Sequence, residues 1–265
     1  MKIGIVGCNG RMGRMLVNAV LDSDGAILAG GTGRPGGDTI GRDVGELIGR
    51  GAMNVLVGDD PRTLFDTADA IIDFTSPAAT LANAAFAAET GKILVIGTTG
   101  LSKDDEAELR KAADRTAIVY APNYSVGVNL LMALTERAAA ILGDDYDLEI
   151  VEMHHRHKVD APSGTALGLG RAAAAGRGVP LDSVWCKSRD GHPGARPRGE
   201  IGFATLRGGD VVGDHTVMFA TDGERVELTH KASSRAVFAK GAVRAALWAK
   251  GKPPGLYTMR DVLGL

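Results

Sequence analysis

Residues 2–13 read KIGIVGCNGRMG, and this stretch decides the fold of the amino-terminal half. Residues 2–6 are mostly apolar, as in a buried strand, and glycines follow at positions 7, 10 and 13. A glycine-rich turn between a strand and a helix lets the backbone approach a pyrophosphate, which the free N–H groups of the helix start bind. The spacing is G-x-x-G-x-x-G instead of G-x-G-x-x-G, so an ordinary turn is the alternative. The position directly after the first strand favours a dinucleotide site.

Short apolar runs and helical segments alternate along residues 1–123. The predicted strands are residues 2–6, 26–30, 54–57, 70–74, 93–96 and 117–120, and the predicted helices include 11–21, 78–90 and 104–113. Strands that alternate with helices predict βαβ units and a parallel sheet. The expected fold class is therefore α/β, with a Rossmann-like, doubly wound parallel sheet in the amino-terminal domain.

The pattern changes after residue 123. A strand is predicted at 148–154, between a helix at 129–142 and a helix at 165–175 that Ser163 caps. Three strands follow at 201–207, 211–220 and 225–232, separated by the hairpin signals Gly208-Gly209 and Asp222-Gly223. A final helix is predicted at 235–249, capped by Ser233-Ser234, and residues 191–199 are expected to form an ordered loop or a lid. These elements predict a smaller α+β domain with an open mixed sheet.

The composition argues against several classes of protein. A formal net charge of −2 and a pI near 6.3 give no general reason to bind nucleic acid or a membrane surface. The N-terminus lacks the apolar core of a signal peptide, and we expect no apolar run to approach the ~18 residues that span a bilayer. Cys8 and Cys186 lie far apart and outside any metal-type spacing, which favours reduced thiols and a cytoplasmic protein.

The end of the second predicted strand bears on the choice between NADPH and NADH. A carboxylate about 20 residues after the glycine-rich turn is the usual partner of the ribose 2′-hydroxyl of NADH. Here the chain reads Gly31-Thr32-Gly33-Arg34, with no acid and with a guanidinium that pairs well with a 2′-phosphate. The sequence thus predicts that NADPH is preferred over NADH. The alternative is a solvated loop arginine.

Two later turns follow predicted strands of the same domain. They read Gly97-Thr98-Thr99-Gly100 and Ala121-Pro122-Asn123-Tyr124-Ser125. The carboxyl ends of parallel strands face a bound cofactor, so the backbone amides of both turns are placed to contact a nicotinamide carboxamide. In isolation, each turn is also compatible with plain turn chemistry.

Residues 152–165, EMHHRHKVDAPSGT, form the most unusual stretch. Three imidazoles, a guanidinium and an ammonium occupy residues 154–158, directly before a predicted helix start at Ser163-Gly164-Thr165. Fixed cations and the N–H groups of a helix start bind carboxylates, and Gly164 lets an anion reach the main chain. The stretch therefore predicts chemistry on an acidic small molecule. The alternatives are a charged surface strand and simple helix capping.

A metal site is another use for three histidines. On a strand, residues at i, i+1 and i+3 point to alternating faces, so their rings do not converge easily on one ion. Arg156 and Lys158 also repel a cation, and we therefore expect no metal. If the extended form persists past residue 154, then His154, Arg156 and Lys158 share one face of the strand.

Taken together, these motifs resemble those of the 4-hydroxy-tetrahydrodipicolinate reductase family, formerly called dihydrodipicolinate reductase, of lysine and diaminopimelate biosynthesis. The resemblance runs in order along essentially the whole chain, from residues 7–13 through both later turns and residues 152–165 to Ile201-Gly202. It implies a dinucleotide-binding domain at 1–123 and 236–265, and a substrate-binding and oligomerisation domain at 124–235. It also implies a homotetramer built through the substrate-domain sheets.

The resemblance assigns roles to individual residues. His154 matches the family's catalytic histidine and Lys158 its proton donor. The substrate contacts match His155, Gly164 and Thr165. The cofactor contacts match Gly7, Cys8, Asn9, Gly10, Arg11, Met12, Gly97, Thr98, Thr99, Ala121, Pro122, Asn123 and Tyr124, and Arg34 joins them as the predicted 2′-phosphate ligand. Two positions depart from the family: Gly33 stands where many members have an acid, and Tyr124 where phenylalanine is common.

The expected substrate is a cyclic dicarboxylate with a conjugated imine. Hydride transfer leaves an enamine-like anion that needs a proton, which we expect Lys158 to donate while His154 orients it or shares that role. Two other functions stay open: another NADP-dependent reductase or amino-acid dehydrogenase on the same framework, and a non-enzymatic nucleotide-sensing module. Residues 154–165 disfavour another reductase or an amino-acid dehydrogenase. A nucleotide-sensing module gives no reason for a lysine and a histidine beside an anion-binding helix start.

Overall fold

The computed structural model describes all 265 residues of the chain. They form two compact units, which we call unit 1 (Met1–Val126 and Arg235–Leu265) and unit 2 (Gly127–Ser234). The boundary predicted after residue 123 falls three residues before the observed one, and the predicted return at 236 falls one residue after it.

Strands and helices alternate along most of the chain. The twelve strands are β1 (Lys2–Val6), β2 (Ile27–Thr32), β3 (Val57–Gly58), β4 (Ala70–Asp73), β5 (Ile93–Ile96), β6 (Ala117–Tyr120), β7 (Asp147–His154), β8 (Trp185–Cys186), β9 (Ile201–Arg207), β10 (Gly213–Thr221), β11 (Glu224–Ala232) and β12 (Gly255–Tyr257). The nine α-helices are α1 (Arg11–Leu21), α2 (Val44–Leu47), α3 (Arg62–Thr67), α4 (Pro77–Thr90), α5 (Lys103–Ala113), α6 (Val126–Leu142), α7 (Gly164–Gly176), α8 (Ala236–Ala249) and α9 (Met259–Leu263).

Unit 1 is built on a seven-stranded parallel sheet with the strand order β12-β6-β5-β4-β1-β2-β3. Its strands are buried on both faces because α1 and α8 pack on one side and α4 and α5 on the other. Successive residues of a strand point to opposite faces. Ile71 of β4 accordingly joins the core beneath α5, and Ile72 joins the core beneath α1 and α8. The predicted Rossmann-like α/β fold is confirmed.

Unit 2 contains a five-stranded mixed sheet with the order β11-β10-β7-β9-β8. Strand β10 runs antiparallel to β7 and β11, whereas β9 runs parallel to β7 and β8. Helices α6 and α7 cover one face, where Ile150, Leu169 and Val217 share a core. The residues that alternate with this core face the other way, and Leu206 among them is 49% exposed. The predicted open mixed sheet is confirmed, although β8 was not predicted.

Two predicted strands of unit 1 have the wrong bounds. The strand predicted at 26–30 continues to Thr32, because Gly31 and Thr32 pair with Ile5 and Val6 of β1. A Cβ on Gly31 would lie 2.6 Å from the Cys8 sulfur, so this glycine serves close packing and not a turn. The strand predicted at 54–57 is observed as the two-residue strand β3, Val57–Gly58.

The carboxyl-terminal prediction is wrong in two respects. The helix predicted as the last element is followed by β12, which adds an edge strand beside β6, and by the five-residue helix α9. Both elements are too short to show a period in the sequence. The N-cap residue of helix α8 is also Arg235, whose side chain makes no capping hydrogen bond, and not Ser233 or Ser234 as predicted.

Helix α6 contradicts the expectation that no apolar run approaches membrane-spanning length. The run Val126–Asp145 is long and apolar enough to cross a membrane by length and composition alone. That is weak evidence, since the core helix of a globular unit passes the same test. In unit 2 the helix contributes Leu131 and Ala139 to the core, and it carries Arg137 on its exposed side.

Residues 191–199 are tied to β7 by Arg196. Its guanidinium donates to the carboxylates of Asp147, at 2.7 Å, and Glu149, at 3.0 Å, and to the carbonyl oxygen of Leu148 at 2.9 Å. Of the two forms that the sequence allowed, these contacts favour an ordered loop over a lid.

Candidate active site

The glycine-rich turn of unit 1 joins β1 directly to α1. Gly7 has a φ of +72°, and Gly10, the N-cap residue of α1, provides no side-chain hydrogen bond. A Cβ on Gly13 would lie 2.0 Å from the Gly7 carbonyl oxygen, so the helix can pack on the turn only because Gly13 has no side chain. The first intrahelical bond runs from Arg14 N–H to the Gly10 carbonyl oxygen, which leaves the N–H groups of residues 11–13 for an anion. These residues fit a dinucleotide pyrophosphate.

The other predicted cofactor turns lie at the same sheet edge. Strands β5 and β6 run parallel to β1 and end just before Gly97 and Ala121, so both turns lie at the carboxyl edge together with residues 7–10. Met12, Pro122 and Asn123 line a cavity of about 190 Å³ there, together with Phe74, Tyr124 and Phe238. Phe74 and Phe238 have no sequence signal beyond their apolar character, and sequence reasoning missed them.

The side chain of Tyr124 is buried at the sheet edge. Its side chain is 1% exposed, and its hydroxyl donates toward the carbonyl oxygens of Ile96, at 2.9 Å, and Val119, at 2.8 Å. Burial raises the pKa of Tyr124 well above its ordinary value. The hydroxyl is thus committed to the ends of β5 and β6, and the ring packs on Phe74 with centroids 5.5 Å apart. Tyr124 forms part of the cavity wall.

A buried carboxylate that sequence reasoning missed fixes this edge. Asp73, at the end of β4, is fully buried and accepts hydrogen bonds from Thr75 N–H at 2.9 Å, Thr80 at 3.0 Å and Asn83 at 2.9 Å. The Thr98 hydroxyl lies 2.8 Å from the Thr80 hydroxyl, to which it can donate, and it accepts from Thr75 N–H at 3.0 Å. The Thr98 side chain therefore holds the loop after β4, and only its backbone is left for the predicted cofactor contact. The sequence signal that could have identified Asp73 is an acidic residue at the end of the otherwise apolar strand β4.

Arg34 lies on an exposed loop after β2, next to Gly33. The side chain of Asn9 donates to the Thr39 hydroxyl at 2.7 Å and thereby ties this loop to the glycine-rich turn. A Cβ on Gly33 would lie 3.3 Å from the Asn9 amide nitrogen and 3.3 Å from Val57, so an acidic side chain would be crowded there. The loop thus has no carboxylate at the end of β2 and presents a guanidinium to solvent.

In unit 2, the basic tract does not stay extended. Strand β7 ends at His154, which pairs with Arg207 at the end of β9. The chain then turns: His155 N–H donates to Val211 at 2.7 Å, and Lys158 N–H donates to the His155 carbonyl at 3.1 Å. The condition under which His154, Arg156 and Lys158 would share one strand face is therefore not met, because the neighbouring strands offer no pairing beyond His154.

Glu152 lies at the centre of this region. It is 1% exposed, and its Oε2 lies 2.5 Å from His154 Nδ1. Its Oε1 accepts the backbone N–H of Ser163 at 3.0 Å, and Arg207 donates to both oxygens, at 2.8 and 3.0 Å. Burial alone would raise the pKa of Glu152, but the hydrogen bonds from His154, Arg207 and Ser163 lower it to about 2. The carboxylate is ionised at neutral pH.

Ser163 caps α7, as predicted. Its hydroxyl accepts the N–H of Ala166 at 3.1 Å and lies 3.1 Å from Nε2 of His215 on β10. Burial, followed by the nearby charge of His154, lowers the pKa of His215 to about 4, so this ring is neutral at neutral pH. A Cβ on Gly164 would meet no atom within 4 Å, and the space beside the first residue of the helix is open.

Lys158 belongs to the same network through the turn. Its ammonium pairs with the Asp160 carboxylate at 2.8 Å, which lowers the pKa of Asp160. Arg207 donates to the carbonyl oxygen of Asp160 at 2.7 Å. The structure thus connects His154, Lys158 and the α7 start through Glu152 and Arg207, two residues to which sequence reasoning gave no role. Glu152 was visible in the motif, but Arg207 gave no signal beyond ending a strand.

Both units match family models. Residues 1–124 match the model described as dihydrodipicolinate reductase, N-terminus, and residues 127–263 match the model described as dihydrodipicolinate reductase, C-terminus. A protein named 4-hydroxy-tetrahydrodipicolinate reductase from Dinoroseobacter shibae is 58% identical over 263 residues, which cover 99% of this chain and 98% of that protein. The protein of the same name from Ruegeria pomeroyi is 59% identical with the same coverage.

Solved structures give the same result. The dihydrodipicolinate reductase from Paenisporosarcina sp. TG-14, solved with dipicolinate bound, matches with a TM-score of 0.76 and 25% identity over 97% of both chains. An amine dehydrogenase from Mycobacterium smegmatis matches with a TM-score of 0.61 and 15% identity over 97% of this chain and 94% of that one. The second similarity concerns the fold alone.

Proposed function

The chain belongs to the dihydrodipicolinate reductase family, and from that premise we propose how its residues carry out the reaction. The enzyme uses NAD(P)H to reduce the cyclic imine dicarboxylate derived from 4-hydroxy-tetrahydrodipicolinate to tetrahydrodipicolinate, in lysine and diaminopimelate biosynthesis. The observation that carries this assignment is the match to named reductases over 99% of the chain.

The start of α7 is the proposed anchor for a substrate carboxylate. Ser163 caps the helix, and the backbone of Gly164 and Thr165 lies at its positive end, where N–H groups and the helix dipole bind an anion. The open space beside Gly164 supports close approach of a ligand to the main chain. His155 is the further proposed substrate contact, on the strength of its match to the family motif.

Lys158 and His154 are the proposed proton-handling residues. When bound, the nicotinamide supplies a hydride to the ring, and the resulting enamine-like anion needs a proton. Lys158 carries an ammonium, paired with Asp160, on the turn that follows His154, which suits a donor. His154 is 8% exposed, so its role is to orient or share that proton from a fixed position.

We propose that NADPH is the preferred cofactor and that Arg34 binds its 2′-phosphate. The exposed guanidinium and the crowding at Gly33 support this preference. The residues at the carboxyl edge of the unit 1 sheet, from Gly7 to Met12, Gly97 to Thr99 and Ala121 to Tyr124, are the proposed remaining contacts. Arg34→Ala is expected to raise the KM for NADPH and to leave that for NADH unchanged, as steady-state kinetics with both cofactors would measure. Equal changes for both cofactors would contradict the 2′-phosphate role.

A cytoplasmic homotetramer is the proposed assembly. The sheet face of unit 2 opposite α6 and α7 carries Val151, Met153 and Leu206, an apolar surface that suits burial between subunits. Light scattering coupled to gel filtration would test it. A tetramer that Leu206→Glu dissociates is expected, and a wild-type monomer would contradict the proposal.

The activity itself has a direct test. The product of condensing pyruvate with aspartate semialdehyde is mixed with the purified chain and NADPH, and the fall in NADPH absorbance is followed. Oxidation that depends on the condensation product is expected. No oxidation would favour a nucleotide-sensing module, and oxidation of NADPH with a 2-oxo acid and ammonia in place of the condensation product would favour an amino-acid dehydrogenase.

A further inference from the structure

Resting on the function proposed above, we propose that Glu152 is a positioning residue. Its carboxylate fixes which nitrogen of His154 carries a proton, and through Arg207 it holds the turn that carries Lys158. Glu152 lies two residues before His154 on the same face of β7, so the two side chains meet directly.

The hydrogen-bond chemistry of this carboxylate leaves one choice for His154. An ionised carboxylate can only accept hydrogen bonds. Oε2 lies 2.5 Å from His154 Nδ1, and Nδ1 must therefore be the nitrogen that bears the proton. Nε2 is then the atom through which the ring can exchange a proton or bind substrate. A Cβ on Gly213 would lie 2.9 Å from Nε2, so the ring is also confined from the β10 side.

Arg207 extends the control to the lysine. Its guanidinium forms a bidentate ion pair with the Glu152 carboxylate. The same guanidinium donates a hydrogen bond to the carbonyl oxygen of Asp160. The carboxylate of Asp160 in turn holds the Lys158 ammonium. The ionised Glu152 is therefore linked to both proposed proton-handling residues and, through Ser163 N–H, to the proposed anion site. A residue with only a packing role needs none of these links.

Glu152→Gln is the sharpest test because the amide keeps the shape and removes the charge. Ser163 N–H and Arg207 Nη2 both donate to Oε1, so the amide oxygen is expected to take that position, and the NH₂ that replaces Oε2 loses the hydrogen bond from Arg207 Nη1. The amide NH₂ then faces His154 Nδ1. An imidazole is the one partner that can change from donor to acceptor, so the proton is expected to move to Nε2. Nitrogen-15 spectra of histidine-labelled protein report the tautomer, and the His154 signals are identified by their loss in His154→Asn.

The kinetic expectation follows from the tautomer. With the proton on the wrong nitrogen, kcat should fall by about 10²–10⁴-fold, the range known for losing a positioned proton-transfer group. The KM for NADPH should not change, because the proposed cofactor contacts belong to unit 1. Glu200→Gln is the matched control: that carboxylate also pairs with an arginine of unit 2, Arg189, but contacts no residue of the 154–165 motif. It should leave both the tautomer and kcat unchanged.

The outcomes separate this inference from the proposed function. An unchanged kcat in a folded Glu152→Gln, or a proton that stays on Nδ1, would overturn the positioning role. If the wild type itself does not oxidise NADPH, the proposed function fails, whereas the tautomer comparison still decides the inference. If Glu152→Gln does not fold, Glu152→Asp replaces it. Because aspartate still only accepts, retention of the Nδ1 proton supports the inference and its loss contradicts it.

Discussion

The starts of α1 and α7 use glycine for opposite purposes. At the start of α1, Gly13 is packed so tightly that a Cβ would lie 2.0 Å from the Gly7 carbonyl oxygen, and no side chain caps the helix. At the start of α7, a Cβ on Gly164 would meet no atom within 4 Å, and Ser163 caps the helix with its hydroxyl. Gly13 allows α1 to pack closely on the turn in unit 1, whereas Gly164 leaves open space beside the start of α7 in unit 2.

The surroundings differ in the same way. The start of α1 is shaped by backbone contacts, as in the bond from Gly10 N–H to Gly7 at 3.0 Å, and it offers bare N–H groups. Ser163, at the start of α7, is bound to Glu152 and His215 and thereby joined to ionisable side chains. A site of the first kind is suited to hold a phosphate group that does not react. A site of the second kind is suited to a ligand that must exchange a proton.

The largest expected effect separates chemistry from binding. Lys158→Ala should lower kcat by about 10²–10⁴-fold because the proton donor is lost, with much less effect on cofactor binding. Arg11→Ala, which removes the first side chain of α1, should raise the KM for NADPH and spare kcat. Steady-state kinetics of both variants measure the contrast. An unchanged kcat in Lys158→Ala would remove the proton-donor assignment.

Gly13→Ala should damage unit 1 itself. The added methyl group has no room beside Gly7 and Cys8, so the turn must shift, and overpacking of this kind costs about 1–3 kcal/mol. Binding of NADPH should be lost along with that stability. Urea denaturation and NADPH fluorescence titration measure the two effects. Wild-type values for both would show that the turn adapts and that the packing role is wrong.

The pH dependence of stability should reveal the ionisable surroundings of α7. The pKa of His215 is about 4 in the folded protein against 6.5 for the free group. Between these values the unfolded chain binds more protons than the native one, so stability falls as the pH drops from 6.5 to 4, by up to about 1.4 kcal/mol per pH unit. The carboxylate of Glu152 adds a loss of the same sign at lower pH, from its ordinary 4.5 toward about 2.

His215→Gln isolates the first of these contributions. The variant should lose most of the slope between pH 4 and 6.5, measured by urea denaturation at stepped pH. It should keep the loss at lower pH and a smaller slope from His230, whose pKa is also lowered by burial. His192→Gln, which changes an exposed loop histidine, should keep the whole slope. An identical slope in His215→Gln and wild type would mean that His215 is not held neutral by its surroundings.

How much the sequence could predict follows from how local each feature is. The turn from Gly7 to Gly13 was readable because its whole chemistry lies within seven residues, and the alternating strands were readable from their apolar runs. Glu152 stood in the motif, yet its partner Arg207 is 55 residues away in the chain. The turn after His154 depends on where β9 and β10 stop pairing, which no residue of the tract encodes. Local chemistry was therefore predictable, and the network that orders it was not.

Gly164→Ala should have the smallest effect on stability, and it tests most specifically whether the substrate reaches the start of α7. Gly164→Ala adds a methyl group that meets nothing within 4 Å, at a position where alanine favours the helix, so urea denaturation should give the wild-type result or slightly greater stability. The methyl group does occupy the space through which a carboxylate would reach the helix start, and the substrate KM should rise while the KM for NADPH stays the same. Gly13→Ala is the matched comparison, because it should lower stability and NADPH binding. If Gly164→Ala leaves the substrate KM unchanged, the substrate does not approach the main chain there, and Ser163 is only a helix cap.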